Sequence, residues 1–300
     1  MRVISVISTK GGVGKTTVTA NLGGFIADAG LRVLLLDLDM QPTLSSYFEI
    51  VSRAECGIYE LLVFNERDLS RLASRTAVEG LDIIVSNDQH RQINTLLLNA
   101  PDGRLRLRHL LPAFRPHYDL ILIDTQGARS VTLEMAVLAS DLAVSPVTPE
   151  ILAARELRRG TVQLIEDIAP FRHLGIQPPP LKLLLNRVPA VSANARLIQQ
   201  SLRLIFCEEP GIEILQTEIP AIEAYQHEPT PPLIIVECLT DPATLLHEVD
   251  LLAQVCDSGT KVVVIGATND ILLFRELLNR LRGRMTVVLS SHILSEIEVS

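Results

Sequence analysis

The sequence has no tryptophan, and aromatic residues make up only 4% of its 300 residues. It has only four lysines, Lys10, Lys15, Lys182 and Lys261, so arginine carries almost all the positive charge. The formal net charge of −8 argues against a globally basic nucleic-acid binder, although a local basic face is compatible with it. Cysteine is scarce too. Cys56, Cys207, Cys238 and Cys256 form no C-x-x-C pair and no metal-ligand spacing. That speaks against a disulfide scaffold or a zinc site and fits a reducing cytoplasm. No apolar run reaches the roughly 20 residues of a membrane-spanning helix, and the N-terminus has the pattern of a strand, not of a signal peptide. Against these absences stand 47% apolar and 21% charged residues, the balance of an ordered globular chain with a substantial core.

Two of the four lysines fall in one short stretch, Ser8-Thr9-Lys10-Gly11-Gly12-Val13-Gly14-Lys15-Thr16-Thr17. It follows an apolar run, Val3–Ile7, and precedes a helical pattern from about Thr16 to Gly30. A strand, a glycine-rich turn and a helix in that order make a phosphate cradle. The glycines let the backbone curl so that successive N–H groups converge on one anion, and the helix N-terminus adds its positive dipole end. Lys15 is placed to reach the β- and γ-phosphates of a nucleotide, and Thr16 to offer its hydroxyl to Mg²⁺. Backbone groups of Gly11, Gly12, Val13, Gly14, Lys15, Thr16 and Thr17 line the cradle. Thr9 stands where a plain Walker A loop has its first glycine, and Lys10 is an additional lysine.

Two further apolar runs end in acids. Val33–Leu36 leads into Asp37-Leu38-Asp39, and Tyr118–Ile123 leads into Asp124. Continuous apolar runs of this length are typical of parallel strands buried on both faces, and carboxylates at their C-terminal ends lie at the edge where α/β folds bind ligands. Alternation puts Asp37 and Asp39 on one side, facing the phosphate loop. Asp124 has the Walker B position, where a carboxylate holds the metal or its water. Shorter strands are predicted at Asp82–Ser86, Leu142–Pro146 and Leu181–Asn186. Helices are predicted around Gly57–Asn65, Leu69–Ala77, Arg91–Arg108 (interrupted near Pro101-Asp102-Gly103) and Glu134–Ala139, with another opened by Pro149-Glu150. The fold class is therefore α/β, a mostly parallel sheet flanked by helices. Two arginine clusters stand out, Arg104/Arg106/Arg108 and Arg155/Arg158/Arg159. Each is either a solvated face or a contact for nucleic-acid phosphates or a partner.

The stretch Lys10–Thr17 resembles the deviant Walker A loop of the ParA/MinD class of P-loop ATPases. Asp37-Leu38-Asp39-Met40-Gln41-Pro42 is similar to that class's second characteristic segment, although Met40-Gln41-Pro42-Thr43 departs from the usual Pro-Gln-Gly-Asn. Thr125-Gln126-Gly127-Ala128 likewise replaces the usual Cys/Thr-Pro-Pro. The resemblance covers residues 1 to about 225. It implies ATP and Mg²⁺ as cofactors, Lys10 reaching across a homodimer interface to the partner's ATP, Asp39 positioning the attacking water, and Asp37 supporting the Mg²⁺ shell with Thr16 and Asp124. It also implies an adenine side formed by Asn186 and by Pro220 of the Glu218-Ile219-Pro220 segment. An amide side chain both donates and accepts, as adenine requires. The implied activity is ATP hydrolysis that drives DNA segregation of a chromosome, plasmid or integrative element. The ATP-bound dimer would hold non-specific DNA, and a ParB-like centromere-binding protein would be its activator. The implied location is cytoplasmic and nucleoid-associated.

The pattern changes after Tyr225. A proline-rich stretch, His227–Pro232, is followed by a new β/α alternation. Strands are predicted at Leu233–Glu237, Lys261–Ile265 and Met285–Leu289, and helices at Pro242–Cys256 and Asn269–Leu281. Residues 1–226 carry 22 basic and 25 acidic side chains, residues 227–300 only 5 and 10. This divides the chain into an ATPase domain, 1–226, and a β/α extension, 227–300, which either extends the main sheet or forms a small lobe. The extension resembles part of the receiver-like domain of TadZ/CpaE pilus-assembly ATPases. The alternative function is accordingly a MinD/TadZ-like ATPase that positions a membrane or pilus-assembly complex; Leu277, Leu278 and Leu281 beside Arg275, Arg280, Arg282 and Arg284 would suit an anionic surface. The segment Val287–Glu296 is similar to the switch-histidine segment of ABC transporter ATPases. No ABC signature accompanies it, and His292 is assigned no role. A scaffold that binds nucleotide without hydrolysing it is the third reading, opposed by the full set Lys10, Lys15, Thr16, Asp39 and Asp124.

Overall fold

In the computed structural model, the described residues are 1–150, 152–189, 193–206, 209–221, 233–238, 261–266 and 286–290. The apolar runs form the middle of a nine-stranded sheet. Its strands are β1 (Arg2–Val6), β2 (Val33–Asp37), β3 (Ile50–Ser52), β4 (Ser74–Thr76), β5 (Leu81–Ile84), β6 (Leu120–Asp124), β7 (Leu142–Val147), β8 (Leu181–Val188) and β9 (Ile212–Pro220). Their spatial order is β3-β4-β5-β2-β6-β1-β7-β8-β9. All pairings from β5 to β9 are parallel; β3–β4 and β4–β5 are antiparallel. Every residue of β2 and of β6 is buried, as expected for central strands covered on both faces.

Helix α1 (Lys15–Asp28) starts directly from the phosphate loop, which makes Gly14 its N-cap residue. Further helices are α2 (Ile58–Val63), α3 (Leu69–Leu72), α4 (Ile93–Asn99), α5 (Arg106–Leu110) and α6 (Val131–Ala139). α7 (Ala153–Leu157), a π-helical turn (Arg158–Val162) and α8 (Gln163–Asp167) run on as one helix, and α9 (Ala193–Phe206) precedes β9. One face of the sheet packs Leu34, Leu36, Ile121 and Ile123 against Ile58, Leu61, Leu107 and Phe114. The opposite face near β2 packs Leu35, Ile83 and Leu122 against Ala20 and Ala27 of α1.

Several elements differ from the expectation. The helix predicted over Leu69–Ala77 stops at Leu72, because Ser74–Thr76 pairs with Asp82 and Ile83 as β4, an alternative local propensity could not disclose. β3 and β9 are additional to the expected strands; β9 has mixed polarity because, among the described residues, it is an edge strand paired with β8 alone. The helix expected to open at Pro149-Glu150 starts at Ala153, with Glu150 in the preceding turn. The arginines of the 104–108 cluster are half-buried and each is bonded to another part of the chain. Arg104 pairs with Glu134, Arg106 with Asp102 and the Leu62 carbonyl, and Arg108 donates to the Leu138 carbonyl.

The chain divides into two compact units, Met1–Ala221 and Ile222–Ser300. In the second, β10 (Leu233–Cys238), β11 (Lys261–Gly266) and β12 (Thr286–Ser290) form their own parallel sheet, in the order β10-β11-β12. The predicted helices Pro242–Cys256 and Asn269–Leu281, the stretch His227–Pro232 and His292 lie outside the described residues. Among the described residues, no helix is long and apolar enough to cross a membrane.

Candidate functional site

The parallel register brings the acid-ended strands together. Val6 of β1 and Asp37 of β2 both stand opposite Asp124 of β6, so the two carboxylates are neighbours beside the exit of β1 into the phosphate loop. Both are fully buried. Thr16 and Thr19 at the start of α1 hydrogen-bond the Asp124 carboxylate, and the Thr19 hydroxyl also donates to the Lys15 carbonyl, 3.0 Å. Asp37 Oδ1 accepts the Asp39 amide at 3.2 Å. Asp39 is half-buried, and its Oδ1 accepts the Gln41 amide at 3.0 Å, closing a tight turn.

Burial and the neighbouring Asp124 push the Asp37 carboxyl up to about 8. Burial pushes Asp124 up to about 6, opposed by its Thr16 hydrogen bond and the Lys15 charge. Burial likewise lowers the Lys15 ammonium, against the pull of Asp124 and Asp39. Asp37 Oδ2 and Asp124 Oδ2 are buried with no hydrogen-bond partner. A buried acceptor left unpaired is costly, and a hard cation is the group that relieves it. No cluster of three or more acid, histidine or cysteine ligands exists among the described residues. Two carboxylates and the Thr16 hydroxyl therefore suit Mg²⁺, which keeps waters and takes phosphate oxygens, better than an ion caged wholly by protein.

The loop itself is held from three sides. Gly12 and Gly14 have left-handed φ of 73° and 89°, a conformation that side-chain-bearing residues rarely adopt. A Cβ on Gly14 would lie 2.5 Å from Asn186 Nδ2. A Cβ on Gly127, in the turn after β6, would lie 2.8 Å from Gly11 Cα and 3.2 Å from Lys15 Nζ. This explains how Thr125-Gln126-Gly127-Ala128 serves as the small, tight turn expected here although it departs from Cys/Thr-Pro-Pro: the glycine lets that turn close onto the loop. The Thr125 hydroxyl donates to the Val6 carbonyl at 2.8 Å and ties the same turn to β1.

Asn186 lies under the loop. Its amide donates to the Val13 carbonyl at 2.8 Å, and its side-chain oxygen accepts the Arg187 amide. Arg187, at φ 54°, donates to the Gly12 carbonyl at 3.0 Å. Pro220 ends β9 and pairs with Val188 two residues beyond Asn186; it lines a recess with Val188, Pro189, Arg196, Gln199 and Glu218. Thr17 stands apart from the carboxylates, its hydroxyl 2.8 Å from that of Tyr47. Lys10 turns away from the cradle of its own loop. Its ammonium pairs with Glu150 at 2.6 Å and Glu156 at 2.9 Å, and these carboxylates hold it charged. The sequence reading missed Glu150, Glu156, Arg187 and Gly127. Glu150 follows the C-terminal end of β7 and Arg187 is the penultimate residue of β8, and that position at strand ends was the available signal.

Comparison with known proteins places this geometry. The model of the AAA domain family (AAA_31) matches residues 1–175. The chain is 34% identical over 168 residues to the sporulation initiation inhibitor protein Soj of Bacillus subtilis (strain 168), a match covering 55% of this chain and 66% of Soj. It is 32% identical over 175 residues to the chromosome partitioning protein ParA of Caulobacter vibrioides, covering 57% of this chain and 64% of that one. The matched part thus spans just under two thirds of these two relatives' own length. Among solved structures, a cobyrinic acid a,c-diamide synthase from Mycobacterium smegmatis with bound ADP and magnesium superposes with a TM-score of 0.63 at 25% identity, covering 75% of this chain and 88% of that one. With the cradle, the strand-end carboxylates and the extra lysine on one sheet edge, the chain belongs to the AAA domain family and, within it, to the ParA/MinD class of deviant Walker A ATPases.

Proposed function

We propose that this chain hydrolyses ATP as a nucleotide-switched homodimer in a DNA-partitioning system, and that its ATP state binds DNA without sequence preference. The observation that carries the reading is the position of Lys10. It is not spent on its own cradle but stands on the outer side, paired with carboxylates that a competing anion can replace. A second subunit's nucleotide phosphates would be such an anion, and hydrolysis would then require the dimer.

In each subunit Gly11, Gly12, Val13, Gly14, Thr16 and Thr17 bind the nucleotide phosphates, and Lys15 neutralises them from inside the cradle. Asp39 orients the attacking water, while Asn186 and Pro220 form the adenine side. For Asn186 this means sharing its amide between the base and the Val13 carbonyl that it already holds. Asp37, Asp124 and Thr16 would hold Mg²⁺, which when bound would offset the negative charge of the phosphates. Catalysis is then chiefly electrostatic, by cations fixed in advance around the transferred group. The partners are a second copy, DNA and a ParB-like activator, and the site of action is the nucleoid in the cytoplasm. Residues 1–226 would be the ATPase domain and 227–300 an extension of it.

The test is anisotropy of a labelled non-specific duplex with ADP, ATP or a slowly hydrolysed ATP analogue, across a salt series. Binding only with the triphosphates, with log K falling linearly in log salt, is the expected result. Binding to anionic vesicles in place of DNA would move the reading to the membrane or pilus-positioning alternative. Nucleotide binding with no phosphate release, even with DNA present, would leave a non-hydrolysing scaffold.

A further inference from the structure

The start of the phosphate loop rests on the π-helical turn between α7 and α8. A Cβ built on Gly160 would lie 1.8 Å from Thr9 Oγ1 and 2.9 Å from Thr9 Cβ. The next atom is Thr9 Cγ2 at 3.5 Å, so nothing other than the Thr9 side chain crowds that position. Because Thr9 Cβ is itself too close, rotating the hydroxyl away would not clear the clash. Beside it, the buried Thr161 hydroxyl accepts the Thr9 amide at 3.4 Å. One turn earlier on the same helix, Glu156 holds the Lys10 ammonium.

The extra residue of a π-turn rotates the helix face locally, a distortion often found at functional sites. Here Leu157 and Val162 remain buried on either side while Gly160 and Thr161 are turned onto Thr9. The two departures are complementary. The loop carries a side chain where a plain phosphate loop has glycine, and the helix lacks one where the two meet.

We propose that Gly160 and Thr161 are positioning residues: they seat Thr9 and so set where Lys10 stands relative to the phosphates. This rests on the reading that Lys10 acts on nucleotide. In Gly160→Ala the added methyl displaces Thr9 and Lys10 from the helix while the cradle from Gly11 onward is kept. In the double variant Thr9→Gly/Gly160→Ala the methyl meets no atom closer than 3.5 Å, so the seat re-forms.

The experiment measures three quantities on the full chain for wild type, T9G, G160A and the double variant. They are ATP turnover, affinity for a fluorescent ATP analogue, and the rate at which Lys10 is acylated, read by mass spectrometry with Lys182 as internal reference. Expected for G160A are turnover at least about tenfold lower, nucleotide affinity within about threefold of wild type, and faster labelling of Lys10 as it leaves Glu150 and Glu156. The double variant is expected to return turnover and labelling to the T9G level. Equal losses of affinity and turnover in G160A, unchanged Lys10 labelling, or a double variant no better than G160A would overturn the proposal. If G160A does not fold, a double variant that also fails to fold does the same. Absence of turnover in the wild type would count against the ATPase reading alone, since the labelling comparison needs no hydrolysis.

Discussion

Lys15, Asp37 and Asp124 show how a site can be built from residues that are individually uncomfortable. Each loses solvation by burial, and each is shifted towards its neutral form for that reason. Two consequences belong to this scale. Lys15→Gln keeps much of the side chain's length but removes the charge, and should weaken ATP binding about 10- to 100-fold, the loss of one or two charge-assisted hydrogen bonds, measurable by titration with a fluorescent analogue. Asp124→Asn should leave the melting temperature of the metal-free protein unchanged or higher, because it removes a buried charge with an unpaired oxygen. The same variant should lose the stabilisation that Mg²⁺ and ATP together give the wild type. A metal-free protein that is clearly destabilised by the change would argue that the carboxylate has a purely structural partner.

At the scale of elements, the sheet is fastened where its central strands begin. Asp119, just before β6, accepts hydrogen bonds from the amide, Nε and Nη2 of Arg32, just before β2, at 2.8–3.1 Å. The Arg32 side chain and amide hold the Asp119 carboxyl down to about 2. A carboxyl depressed in the folded state contributes stability that is present above its unfolded value, 3.8, and is lost as pH falls towards about 2. Asp119→Asn should therefore lower the denaturation midpoint at neutral pH, with the gap to wild type closing between pH 4 and 2. A gap that is constant with pH would show that the charge is not what matters. Deeper in, Phe114 is wholly buried in the cluster formed by α2, α5 and the β2–β6 face. Phe114→Ala should cost about 3–5 kcal/mol by urea denaturation, through the cavity that it leaves.

The whole molecule comprises two compact units. A piece of about 80 residues lies near the lower limit for an independent core, whereas the first unit has ample chain for one. Differential scanning calorimetry of the full chain should accordingly resolve two transitions, with Mg²⁺ and ATP raising only one of them, since a ligand stabilises only the unit that it binds. A single transition that shifts as a whole would mean that the units fold as one.

How much of this was legible follows from which interactions are local. The phosphate loop, the strands ending in Asp37 and Asp124, and the helix after Gly14 are written in consecutive residues: an apolar run, a glycine turn, a periodic face. They determined the fold class and most of the candidate site. The sequence could not show that Asp37 and Asp124 would be register neighbours, that Arg104, Arg106 and Arg108 would each bond another part of the chain, or that Ser74–Thr76 would leave a helical pattern to pair with β5. Nor could it show that Lys10 would be held by Glu150 and Glu156, some 140 residues away, or that Gly160 would be small because Thr9 is not. Each of these depends on surfaces brought together from distant parts of the chain. Local propensity and spacing decide what an element is, and only tertiary packing decides what that element meets.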